Sequence, residues 1–311
     1  MSIEELKSLQ SNIIRKNKKY NLIGGIITGF LIGISIFAIL IYKIELYFGL
    51  VITFIELVFS AIIFTIIKSV ANGEDIKIFY KSFKNIFVLK SLQHFFGNIN
   101  YKPENGFSKE YIRTIGMLDT GDRYYSNDYI SGVYKDIKFE QSDIRIEEMH
   151  EEEDSDGNKR EVWEITFMGR LMVFDFNKSF KANIQVVSLC FRANTLPWGK
   201  NFCRVKMEDV EFNKKFVVFA ESEHEAFYIL TPHFMERLKE TTVKLNCGIM
   251  FAFVDNKLHI AINDGKDSFE YNVFKPINEE EIEANITKDI KIITGFVDEL
   301  NLENNLFKKE I

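Results

Sequence analysis

The chain has 311 residues, of which 46% are apolar and 27% charged, with 30 Phe, 4 Pro and 3 Cys. That apolar and aromatic content excludes an intrinsically disordered chain, and a formal net charge of −6 excludes general nucleic-acid binding, which needs a basic face. Cys190, Cys203 and Cys247 stand at unrelated spacings, which excludes a closed disulfide framework and a CxxC-type zinc site.

Residues 1–20 carry five basic and two acidic side chains. Ile3, Leu6, Leu9 and Ile13 recur at helical spacing, so the segment reads as a basic N-terminal helix, either lying on anionic lipid or leading into the membrane. Residues 21–67 read as a transmembrane helical hairpin. Its first span, 22–42, has 21 residues and no formal charge; a second apolar run covers 47–67. Each would be about 31 Å long as a helix, against a hydrocarbon core of about 30 Å. A signal peptide has a shorter apolar core and no second span directly behind it. Arg15, Lys16, Lys18 and Lys19 precede the pair, and Lys68 and Lys77 follow it. Both termini are therefore expected in the cytoplasm of a multi-pass protein of the bacterial inner membrane, with the short turn outside.

Two features lie inside the spans. Gly25, Gly29 and Gly33 share one helix face, which serves packing against the second span or self-association into a homo-oligomer. Glu56 sits mid-span, where a carboxylate costs about 2.5–3.5 kcal/mol on insertion scales. Thr53 and Ser60 share its face and are expected to hydrogen-bond to it, fixing helix packing; an ion or proton pathway is the competing reading.

Residues 68–311 carry a net −8 and so are expected to project from an anionic leaflet rather than lie on it. Within 68–100, Ile76, Phe79, Phe83, Ile86 and Phe87 predict an amphipathic helix connecting membrane to domain, ended near Pro103 and Gly106. The cytoplasmic domain, 101–311, switches to period two near Arg123. Val133, Ile137 and Phe139 alternate with polar residues, and Ile144 and Ile146 resume the pattern after a slip at Ser142–Asp143. Residues 161–176 alternate similarly across an expected turn at Asp156-Gly157. Strands are expected near 183–191, 202–208 and 215–220, with a hairpin over 249–262. Helices are expected over 221–230, from the Thr231-Pro232 cap to about 245, and over 278–301. Hairpins first and helices later predict a largely antiparallel α+β domain.

No nucleotide-binding, hydrolase or zincin motif occurs, so no catalytic residue, metal ligand or cofactor is assigned. An EF-hand register on Gly157 would need Glu where Trp163 stands. Arg123, Tyr124 and Asp128 form a candidate polar surface cluster, and Tyr124, Tyr125, Tyr129, Trp163 and Trp198 are either a recognition surface or ordinary strand aromatics.

The run from Asp122 to Gly132, then Phe167-Met168-Gly169-Arg170-Leu171, Met207-Glu208-Asp209 and Glu225 to Pro232, resembles a bacterial family of two-span membrane proteins with a cytoplasmic domain of unknown function. Members are often encoded beside LemA-type membrane proteins. The resemblance implies an architecture and a LemA-like membrane partner, and no catalytic residues. Gly169-Arg170-Leu171 departs from the Gly-Leu-Phe that the resemblance implies. The expected function is a membrane scaffold or adaptor. The alternatives are an enzyme or small-molecule sensor whose site forms only in the fold, and an oligomeric channel or transporter subunit using Glu56.

Overall fold

The computed structural model describes residues 1–42, 46–153, 157, 159–176, 178–191 and 201–302. The expected turn at 43–45, Asp156 and Trp198 lie outside the described residues. The chain divides into two compact units, Met1–Phe87 with Tyr271–Ile282, and Val88–Glu270 with Glu283–Ile311.

In the first unit, α1 (Ile3–Tyr42) is long and apolar enough to cross a membrane, and α2 spans Leu46–Phe83. Among the described residues of α2 the apolar stretch is shorter, Thr53–Ile62. The two helices run side by side in opposite senses. Lys16 pairs with Asp75 at 2.6 Å, Thr28 meets Ser60 at 3.0 Å, and Ser35 donates to Glu56. Part of the apolar stripe of residues 1–20 is covered by the chain itself. Leu6 and Ile13 are fully buried, and Gln10 donates to the carbonyls of Val273 and Lys275. That burial accounts for Leu6 and Ile13, whereas Ile3 and Leu9 are half-buried. The boundary expected at residue 68 does not interrupt the helix either. Residues 46–96 contain no Pro, and the apolar spacing continues to Phe79 and Phe83, which pack on Tyr271. A single π-helical turn, Lys84–Val88, follows.

In the second unit α3 (Leu89–Phe96) ends at Gly97, whose φ of 70° suits a residue without Cβ. Nine strands among the described residues form one antiparallel sheet. They are β1 (Ile99–Lys102), β2 (Arg123–Tyr134), β3 (Ile137–Glu153), β4 (Lys159–Asp175), β5 (Ile184–Ser188), β6 (Cys203–Val205), β7 (Phe216–Ala220), β8 (Gly248–Val254) and β9 (Lys257–Asn263). Their spatial order is β1-β2-β3-β4-β9-β8-β5-β7-β6. Helices α4 (Lys109–Ile115), α5 (Val210–Asn213), α6 (Glu223–Ile229), α7 (Pro232–Leu245) and α8 (Glu279–Leu300) complete the fold. Thr231 caps α7 as its sequence requires, accepting from the Phe234 amide.

Both faces of the sheet are covered. On one, Phe174 and Phe251 meet Phe296 of α8 at ring separations of 6.4 and 6.5 Å. On the other, Ile144, Ile146, Leu171, Val173 and Met250 pack with Phe107 and with Ile112 and Ile115 of α4. Lys135 and Asp136, both at positive φ, make a tight turn between β2 and β3, so the alternating run over 133–139 is two strands rather than one.

Candidate functional site

The strongest local anomaly lies in β2. Asn127 pairs with Asp143 and Ile130 with Gln141, so two residues of β2, Asp128 and Tyr129, stand opposite one of β3. This bulge puts Asp128 at φ 53°, a conformation Asp tolerates better than most residues, and turns its side chain fully inside. The ladder bonds it gives up are replaced: Asp128 N–H donates to Pro103 O and Tyr129 N–H to Asn105 O. Tyr101 hydroxyl and Asn127 amide donate to the Asp128 carboxylate, the latter at 3.0 Å.

Asp143 is also buried, and oxygens of Asp128, Asp143 and Asp267 lie within 4.8 Å of one another. The loop after β9 closes over Asp143, with the Ser268 backbone N–H donating at 2.5 Å and its hydroxyl at 2.9 Å. Burial, reinforced by Asp128 and Asp267, holds the Asp143 carboxyl well above the usual range; Arg170 pulls it the other way. Arg170 stands directly opposite Asp143 in the β3–β4 ladder, is 1% exposed, and bonds Asp289 through Nη2 at 3.1 Å. Asp289 also accepts from the Phe269 amide. Burial, and next Asp128, push the Tyr101 hydroxyl pKa upward, so it is a fixed donor to Asp128.

On the opposite face, His259 of β9 meets the Tyr111 hydroxyl of α4 at 3.0 Å. Burial lowers its pKa to about 4, so the imidazole is neutral at physiological pH.

A second exposed feature is a two-stranded arm. Beyond Arg123, where β2 begins, Glu148–Glu153 of β3 pairs with Lys159–Glu164 of β4 and, among the described residues, with no third strand. Glu147/Ile165 and Met149/Trp163 are successive cross-strand pairs on one face, and the Arg123 guanidinium lies 3.4 Å above the Trp163 ring. Met149, Trp163 and Ile165 are all exposed.

The sequence-derived sites are redistributed. Arg123, Tyr124 and Asp128 do not form one surface cluster: Arg123 is on the arm, Tyr124 donates to Phe107 O, and Asp128 is buried because the bulge turns it inward. Tyr124 and Tyr129 pack on the core, leaving Trp163 and Tyr125 exposed. Glu56 takes its hydrogen bond from Ser35 of α1, whereas Ser60 meets Thr28 and Thr53 donates to its own helix at Gly49. Gly25, Gly29 and Gly33 are exposed, with nothing within 4 Å of a Cβ added at each; Gly24, against Phe64, makes the close approach to α2 instead. Sequence reasoning missed Asp143, Asp267 and the role of Arg170. The phase slip at Ser142–Asp143 was their signal.

Residues 165–302 match a family model described as protein of unknown function (DUF3137). The match takes in Arg170, Asp267 and Asp289 and begins after Asp128 and Asp143. No curated protein matches the chain. Among solved structures, the crystal structure of the mycobacterial trehalose monomycolate transport factor A, TtfA, is similar at 10% identity and a TM-score of 0.35, covering 72% of this chain and 93% of that chain. Similarity at that level transfers neither fold nor function.

Proposed function

We propose that the protein is a membrane-anchored scaffold. It crosses the membrane twice, through α1 and the first half of α2, with both termini cytoplasmic, and its α+β domain holds a protein partner on the β3–β4 arm. The arm is the observation that carries this reading. Beyond β2, where Asp122 takes the Met149 amide, the arm's edges meet no third strand among the described residues, and exposed Met149, Trp163 and Ile165 share one face with Glu151 and Glu153. An exposed edge accepts an added strand, and the aromatic supplies an anchor. The chemistry suits an extended segment that is apolar on one face and basic at its rim; the family resemblance points to a LemA-like membrane protein. Purification of the intact protein in mild detergent should yield a stoichiometric partner that is lost on Trp163→Ala together with Ile165→Ser. Undiminished capture by that variant, or a homo-oligomer with no partner, would overturn the scaffold reading. Exposure of the Gly25–Gly29–Gly33 face supports self-association as a second reading, tested by cross-linking of Gly29→Leu in membranes.

A further inference from the structure

We infer that Asp128, Asp143 and Asp267, with the Gln141 amide, form a binding site for one hard divalent cation in the α+β unit. The inference is independent of the scaffold reading. A cation bound to oxygens at about 2.0–2.6 Å holds those oxygens no more than about 5 Å apart, and the three carboxylates already meet that condition at 4.8 Å. All the donors are oxygens, which selects magnesium, calcium or manganese over softer metals.

The second observation comes from Gln141. It is fully buried, and neither its Oε1 nor its Nε2 has a hydrogen-bond partner. Alternate residues of a strand share a face, so Gln141 projects from the same face of β3 as Asp143. Its row on the sheet holds Ile130, the first residue past the bulge, and Tyr101, which bonds Asp128. The unpartnered amide therefore stands on the face that carries the carboxylates, one row from Asp143. An amide buried without a partner costs about 1–3 kcal/mol, and its carbonyl oxygen is a ligand of the type this cation takes. Arg170 lends Asp143 its positive charge from across the ladder but is bonded elsewhere. Its guanidinium is bound to Asp289 through Nη2, and its Nη1, also buried, has no partner.

The test uses the intact protein in detergent, stripped with a chelator and titrated with Mn²⁺ while free Mn²⁺ is read by electron paramagnetic resonance. One saturable site per chain is expected, with a Kd below about 1 mM and displacement by Mg²⁺ or Ca²⁺. Asp267→Asn removes an exposed ligand, so the fold survives, and it should weaken Mn²⁺ at least about tenfold. Gln141→Leu should weaken Mn²⁺ in the same direction without lowering the metal-free melting temperature. If Asp143→Asn does not fold, those two variants still decide. No saturable site up to millimolar Mn²⁺, or a site unchanged by Asp267→Asn, would overturn the inference; the second result would place the bound ions on the acidic arm.

Discussion

Replacing His259 by Gln should remove a defined part of the acid sensitivity of the α+β unit. Burial takes His259 from the usual 6.5 to about 4, because the sheet and α4 leave no water to solvate an imidazolium. The unfolded chain thus binds a proton near pH 6.5 that the folded chain refuses until about pH 4. Stability is full above the unfolded value and falls as the pH drops through this window, at about 1.4 kcal/mol per unit. The loss amounts to about 2 kcal/mol at pH 5 and about 3 kcal/mol at pH 4. Gln keeps a group for the Tyr111 hydroxyl but cannot titrate. Asp143, whose raised pKa acts with the opposite sign, is common to both proteins and cancels in the comparison. Urea unfolding of the intact protein in detergent, followed by tryptophan fluorescence, reports on this unit because Trp163 belongs to it and no tryptophan occurs in residues 1–87 or 271–282. The stability gap between wild type and His259→Gln should shift by about 2 kcal/mol between pH 7.5 and 5. Parallel curves would refute the reasoning and mean that the imidazole has access to solvent.

Gly169→Ala should cost about 3 kcal/mol or prevent folding, since its Cβ would lie 2.0 Å from the Ile262 carbonyl in the β4–β9 ladder, where only backbone could move; the same urea titration reads it. Phe296→Ala should cost about 3–5 kcal/mol, because the ring is 1% exposed between Phe174 and Phe251; Leu there should recover most of the loss. If both termini are cytoplasmic, a membrane-impermeant maleimide added to intact spheroplasts should leave exposed Cys190 and Cys203 unlabelled and label them once the membrane is opened. Labelling before lysis would reverse the proposed orientation.

The elements with clean periodicity or strong punctuation were legible in the sequence. β8 and β9 follow from the turn at Asp255-Asn256 between two apolar runs, α7 from Thr231-Pro232, and α8 from its acidic first turn. The long apolar helix α1 was equally plain. What escaped were features set by tertiary contact. α4 is two turns long, and its apolar residues make sense only against a sheet face. The bulge at Asp128 leaves no local mark, since neither Gly nor Pro signals it. The slip at Ser142–Asp143 looked like a break, yet β3 runs through it. With both faces covered, apolar residues on either face are interior, and the polar pair Gln141 and Asp143 interrupts the pattern because it belongs to a buried polar layer.

That layer gives Arg170 its meaning. Desolvating a guanidinium is expensive, and a buried ion pair seldom outweighs apolar residues of the same volume. Away from Gln141 and Asp143 the same face of the sheet is lined by Phe139, Phe174, Phe251 and Phe253, so leucine at both positions of the pair would find apolar neighbours there. Asp289→Ala alone strands Arg170 without the partner of its Nη2 and should cost about 3–5 kcal/mol. Arg170→Leu combined with Asp289→Leu should instead be close to neutral in urea unfolding. If the double variant is as unstable as the single, the pair is a structural requirement. If it is neutral in stability but alters Mn²⁺ affinity, then Arg170 serves the acidic layer beside it, tuning the charge that Asp143 presents.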